Sequence, residues 1–309
     1  MASPRPDGKD DGHTGQAPSK GTEPLEDADL VVDRIIEFAA THPGISAVIQ
    51  TGSRARGTRV DEFSDLDIEL IGPGTGEFVG ADDWLPAIGP VLVGIHLDND
   101  EPHWPTCLVV LAEGLKIDFT LAGPGRLDDL IADGLDELYQ RGYRVLLDKD
   151  SSTTALPPAT GSHTPARPTA ADIEATQREF WFEATQIPIY VARGDLWPAM
   201  LRLAELRESL LTMAEWHTTT RSGGRIDHWH NGHHLHEWLD PRFRDDPSAF
   251  FPRYNGAEIL AAVHALAHTF SELAADICRE NNCPALDLRD RVLAHAERIS
   301  TARPDAFTG

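Results

Sequence analysis

The sequence predicts an α+β chain, with a mixed β-sheet and flanking helices first and a helical bundle second. Three observations predict it. Short strand-like runs are confined to the first 150 of 309 residues. A stretch rich in Ser, Thr, Pro, Ala and Gly over 151–168 reads as a linker or long surface loop. Beyond it the apolar repeats have helical spacing. The organisation expected is a disordered tail at 1–27, a sheet domain at 28–150, the 151–168 linker and a helical domain at 169–309.

The elements follow in order. Residues 1–27 are rich in Pro, Gly, Asp and Lys and offer almost nothing to bury. Leu30, Val31, Val32, Ile35, Ile36 and Ala39 predict a helix to about His42, stopped by Pro43-Gly44. Ala47-Val48-Ile49-Gln50 reads as a short buried strand, which Gly52-Ser53 breaks to start a helical turn. Alternation over 64–70 predicts a half-buried strand. A short helix is expected over 82–88 and a strand over 91–97. Strands over 108–111 and 117–121 should be joined by a hairpin-like turn at Glu113-Gly114. A helix over 127–138 and a strand over 144–147 complete the first half. The second half reads as helices over 170–193, 196–217, 257–279 and 286–299, with Pro188 expected to kink or end the first. No internal repeat is present.

The chemistry concentrates in two stretches. Gly52-Ser53 allows close backbone approach to a phosphate, and the N–H groups of the following helical turn attract anions. Asp65 and Asp67 are two apart on a strand, so they share a face, roughly 6.6 Å apart along it. Paired carboxylates of this kind suit Mg²⁺, which takes oxygen ligands from carboxylates and substrate phosphates. Asp118 is the lone acid in an apolar strand, where burial is costly unless something pairs with it. A metal shared with Asp67 would do so, and Asp118 would also be placed to accept a hydroxyl proton.

At these residues the chain resembles the DNA-polymerase-β-type nucleotidyltransferases, and more narrowly the streptomycin (aminoglycoside 6-) adenylyltransferase family. The resemblance runs from about residue 28 onward. It is carried by Gly52-Ser53-Arg54, by Asp61-Glu62-Phe63-Ser64-Asp65-Leu66-Asp67-Ile68 and by Lys116 to Leu121. Val145 to Asp150, Phe180-Trp181 and Met213-Ala214-Glu215-Trp216 extend it. It implies an N-terminal nucleotidyltransferase domain and a helical substrate-binding domain. It implies AMP transfer from ATP to an aminoglycoside hydroxyl, with pyrophosphate released. Asp65, Asp67 and Asp118 would be the catalytic carboxylates holding two Mg²⁺ ions, with Asp118 as base. Gly52, Ser53 and Arg54 would bind the nucleotide. One departure stands out. The family carries a Gly-Lys-x-Gly-Lys-like segment in the helical half, whereas 224–235 here offers Arg225, His228, His230, His233 and His234. His230 and His234 are spaced to bind a metal on a helix, but no His-Glu-x-x-His or nearby cysteine accompanies them.

Composition bounds the partners. A net charge of −23 disfavours a nucleic-acid substrate and suits a cationic small molecule. Carboxylates and aromatic faces are the expected liners for such an acceptor, and Trp181, Glu183, Tyr190, Glu205 and Glu208 are the candidates. The acceptor site is expected between domains, where pockets form preferentially. Three cysteines without a Cys-x-x-Cys, and no apolar leader or span, lead to the expectation of a cytoplasmic protein without a membrane partner. Two other readings keep the same residues: adenylyl transfer to another small molecule or a protein, and a nucleotide-binding relative without turnover.

Overall fold

A computed structural model of the chain describes residues 27–98, 104–229, 231–243 and 247–307. The chain divides into two compact units, Met1–Ser162 and His163–Gly309. The expected tail lies outside the described residues except for Asp27, which caps the first helix through its side chain.

In the first unit the elements run α1 (Ala28–Thr41), β1 (Ala47–Gln50), α2 (Gly52–Arg56), β2 (Leu66–Ile71), β3 (Val91–Leu97), β4 (Thr106–Leu111), β5 (Lys116–Ala122), α3 (Gly125–Ala132), α4 (Glu137–Arg141) and β6 (Arg144–Asp148). The strands form one sheet in the order β3-β4-β5-β2-β1-β6. Among the described residues only β2 and β5 pair in parallel; the other pairings are antiparallel, so the sheet is mixed. Alternation assigns its two faces. Leu66, Ile68, Leu70, Ile117, Phe119 and Leu121 pack with Val31, Val32 and Ile35 of α1 and with Phe78 and Trp84. Ala47, Ile49, Ile71 and Ala122 pack on the other side with Leu127, Leu130 and Tyr139.

Three elements of this unit differ from the sequence reading for local reasons. The helix expected over 127–138 is two helices. Gly134, at φ 94°, breaks the run, and Asp136 starts α4 by accepting hydrogen bonds from the Leu138 and Tyr139 N–H groups. The helix expected over 82–88 shrinks to one 3₁₀ turn, Leu85–Ala87, with Pro86 inside it. The second strand starts at Leu66 instead of Ser64, because Asp61 and Ser64 close a turn: the Asp61 side chain accepts from the Phe63 N–H and the Ser64 hydroxyl. The expected hairpin forms at Gly114, which takes φ 95°.

The second unit contains α5 (Ala170–Arg193), α6 (Leu196–Ser222), α7 (Leu235–Trp238), α8 (Gly256–Glu280) and α9 (Arg289–Ala302). Thr169 and Asp172 open α5 with a reciprocal capping box. Pro188 does not end α5: fully buried Ile187 and nearly buried Val191 flank it, so core packing outweighs the lost hydrogen bond. At the centre Phe180 of α5 stacks on Phe270 of α8, centroids 3.7 Å apart and planes 3° from parallel. α6 runs past the expected end at His217 to Ser222, where Gly223 in the left-handed region terminates it. Among the described residues no helix is long and apolar enough to cross a membrane.

Candidate active site

The site forms where β1 ends and β2 and β5 begin. Parallel pairing sets Asp67 directly beside Asp118. Asp65 sits just ahead of β2. One carboxylate oxygen from each of the three lies within 4.8 Å of the others. Among the described residues, this is the one group of three or more His, Cys, Asp or Glu side chains close enough to hold a metal ion.

The backbone around the cluster is tightly specified. The Thr51 N–H donates to the Asp67 carbonyl at 3.0 Å, fastening the end of β1 to β2. Gly52 then turns into α2 with φ +69°. A Cβ placed there would lie 1.7 Å from Asp67 Oδ2. Only glycine combines that conformation with that proximity. Ser53 follows, half-buried, in the first turn of α2. Arg54 is turned onto the loop that carries Asp65. Its Nε donates to the Ser64 and Asp65 carbonyls at 3.0 and 3.2 Å, and its Nη2 to the Ser64 carbonyl at 2.9 Å. In this arrangement the guanidinium fixes where Asp65 enters the site.

The electrostatics follow from crowding. Burial, with the Asp65 and Asp118 charges added, raises the Asp67 carboxyl to about 6, against the opposing pull of Lys116 and Arg56. Lys116 was not singled out from the sequence, although it stands two residues before Asp118 on one strand and so shares its face. Its ammonium donates to Asp118 Oδ2 at 2.6 Å and to Asp65 Oδ2 at 3.1 Å. Burial alone would lower the Lys116 pKa; the bonds to Asp118 and Asp65 outweigh it and raise it. Asp118 Oδ1 is buried and has no hydrogen-bond partner among the described residues. The donor set therefore fits a hard, oxygen-liganded cation: three carboxylates, close together, one with an unmet buried oxygen.

A second polar tier lies two residues along β2. Buried Glu69 accepts from the Tyr139 hydroxyl at 2.6 Å and from Arg126 Nε and Nη2 at 3.2 and 3.0 Å, and Arg126 Nη2 also donates to Asp136. The continued alternation Asp65-x-Asp67-x-Glu69 was the available sequence signal. This network anchors α3 and α4 to the face that carries Asp67.

The side chains expected to line an acceptor site have varied surroundings in the helical unit. Trp181 is 3% exposed and packs edge-on against Phe180 and Phe270, so it belongs to the core. Glu183 is bound by Arg202 Nη1 at 2.9 and 3.0 Å, and Arg202 also bonds the Tyr190 side chain. Glu205 is exposed. Glu208 borders a cavity of about 380 Å³ among Arg207, Leu211, Phe243, Phe250 and Leu273. Of the histidines, His230 lies outside the described residues. His217 is buried against Asp276, with burial lowering its pKa. His228 bonds Thr219 and the Trp229 carbonyl.

Comparison with known proteins returns one family model over most of the chain. The family model described as streptomycin adenylyltransferase matches residues 26–299. The aminoglycoside 6-adenylyltransferase of Bacillus subtilis (strain 168) is 29% identical over 204 residues, which cover 62% of this chain and 69% of that protein. Among solved structures, an aminoglycoside 6-adenyltransferase from Bacillus subtilis aligns with TM-score 0.43 and 19% identity, covering 89% of this chain and 99% of its own. A nucleotidyltransferase-like protein from Exiguobacterium sibiricum 255-15 aligns with TM-score 0.33 and 14% identity, covering 82% and 78%.

Proposed function

The chain belongs to the streptomycin adenylyltransferase family, and from that premise we propose that it transfers AMP from ATP to a hydroxyl of an aminoglycoside such as streptomycin. In this reaction the acceptor oxygen bonds to the α-phosphorus of ATP. The bond from that phosphorus to the bridging oxygen breaks, and pyrophosphate leaves with the electron pair. Asp118 takes the hydroxyl proton, which makes the oxygen a better nucleophile as the new bond forms. Asp65, Asp67 and Asp118 would hold two Mg²⁺ ions, which supply charge stabilisation to the attacking and leaving oxygens. Gly52 and Ser53 approach the phosphates through backbone and hydroxyl, while Arg54 keeps the Asp65 loop in register with them. The net charge of −23 favours encounter with a polycationic acceptor over a polynucleotide.

The observation that carries this reading is the convergence of the three carboxylates beside a glycine that admits no side chain. Incubation with ATP, Mg²⁺ and streptomycin should release pyrophosphate and add the mass of one AMP to the drug. A panel of aminoglycosides run in parallel identifies the preferred acceptor. No turnover on any member would remove the acceptor assignment. Pyrophosphate release on an unrelated small molecule or a protein would keep the chemistry and change the acceptor.

A further inference from the structure

Three acids gathered this closely repel one another, and something must hold them together before any ion arrives. The structure shows what does so. We propose that Lys116 is the resident cation of the carboxylate cluster: it ties Asp65 to Asp118 when no divalent ion is bound, and it competes with that ion for the same oxygens. The proposal rests on the metal-binding reading given above and extends it to a residue outside the triad.

The geometry carries it. Lys116 Nζ lies 2.6 Å from Asp118 Oδ2 and 3.1 Å from Asp65 Oδ2, bridging β5 to the residue just ahead of β2 across 51 residues of sequence. A magnesium ion bonds oxygen at about 2.0–2.1 Å. An ion shared by these two carboxylates would need the space where the ammonium sits. Two cations cannot occupy that gap together, so binding of one expels the other. A single ammonium also leaves the cluster incompletely satisfied. It serves Asp118 Oδ2, while buried Asp118 Oδ1 remains without a partner among the described residues. A divalent ion that displaces the ammonium therefore also gains an oxygen that lysine leaves unmet.

The side chain is suited to leaving. Lys116 is 42% exposed and carries its charge on a flexible four-carbon stem, so it can move toward solvent without disturbing β5. Arginine would hold carboxylates through a planar fork that is harder to dislodge. The chain has only four lysines against twenty-three arginines, yet a lysine stands here.

The test is divalent-ion binding to the full chain with neither nucleotide nor acceptor present, using Mn²⁺ and electron paramagnetic resonance. Removing the competitor in Lys116→Met should tighten Mn²⁺ binding by roughly three- to tenfold, the scale of one partly exposed ion pair. Lys116→Arg should bind Mn²⁺ no more tightly than wild type. Without metal, Lys116→Met should melt earlier than wild type, and saturating Mn²⁺ should raise its melting temperature more. Equal or weaker Mn²⁺ binding by Lys116→Met would overturn the proposal. Lys116→Gln repeats the measurement if Lys116→Met does not fold; folding of either variant only with Mn²⁺ supports the idea, and failure of both with and without it overturns it. Absence of Mn²⁺ binding in wild type and every variant would instead overturn the metal-site reading beneath it.

Discussion

Gly52→Ala tests the link between backbone and chemistry most directly. At φ +69° the added methyl would stand 1.7 Å from Asp67 Oδ2 and 2.6 Å from its Cγ. The shortest contact a real Cβ tolerates is about 3.0 Å, so the carboxylate must retreat by about 1.3 Å. The left-handed backbone adds about 1–2 kcal/mol of strain for a residue with a side chain. If Asp67 moves aside, that strain is most of the stability cost. A unit of this size then loses about 2–8 °C in melting temperature and stays folded at room temperature. Activity responds far more, because a misplacement of about 1 Å can cost about 10²-fold. Pyrophosphate release with ATP, Mg²⁺ and a working acceptor should therefore fall by at least about 10²-fold, while circular dichroism stays native. A Gly52→Ala protein with wild-type turnover would refute the reasoning, since the turn would then not pinch Asp67 at all.

Other outcomes follow from the same geometry. Asp67→Asn should keep the fold and lower turnover by several orders of magnitude, roughly the worth of metal-assisted charge stabilisation; a near-normal rate would mean that Asp67 is not a ligand. Asp118→Asn should do likewise with substrate affinity less affected, which a split of kcat from KM measures. Burial and the neighbouring acids hold Asp67 protonated up to about 6, and ligands must be deprotonated to bind. Mn²⁺ affinity should thus weaken as pH falls through 6, about fivefold between pH 6 and 5, and an affinity flat from pH 7 to 5 would contradict this. Glu215 is raised by burial from 4.5 to about 7, so its ionised form opposes folding. That cost is absent below pH 4.5, grows up to 7 and is complete above it. At about 1.4 kcal/mol per pH unit, reduced for partial contact with water, Glu215→Gln should stabilise the protein by about 1–2 kcal/mol at pH 8 and hardly at all at pH 4.5. Thermal melts at the two pH values would show it.

The parts of the fold readable in the sequence are those fixed by local pattern. Alternation announced β2, an apolar run with a single acid announced β5, Glu113-Gly114 announced the hairpin, and Gly52-Ser53 announced the turn that opens α2. The spacing of Asp65, Asp67 and Asp118 carried the site because a period of two decides which face a residue takes. What was not readable depended on partners distant in sequence. Pro188 argued for a kink or an end, and α5 does not end there because Ile187 and Val191 pack in the core. Trp181 looked available for stacking until Phe180 and Phe270 enclosed it. Arg54 sits beside the turn, yet its donors go to carbonyls ten residues on. The task of Lys116 appears only once β5 lies beside β2, since half of its bridge belongs to the other strand.

The parallel alignment of β2 with β5 has a wider consequence. The same residue-by-residue match that seats Leu66, Ile68 and Leu70 in oil sets Asp67 beside Asp118. Sliding one strand by a single position would drive its acid into the core beside α1 and its aliphatic side chains onto the face that carries the site. Misassembled forms of this protein should accordingly be fragile as well as inert. Natural selection for mere persistence would then guard the chemistry without ever acting on it.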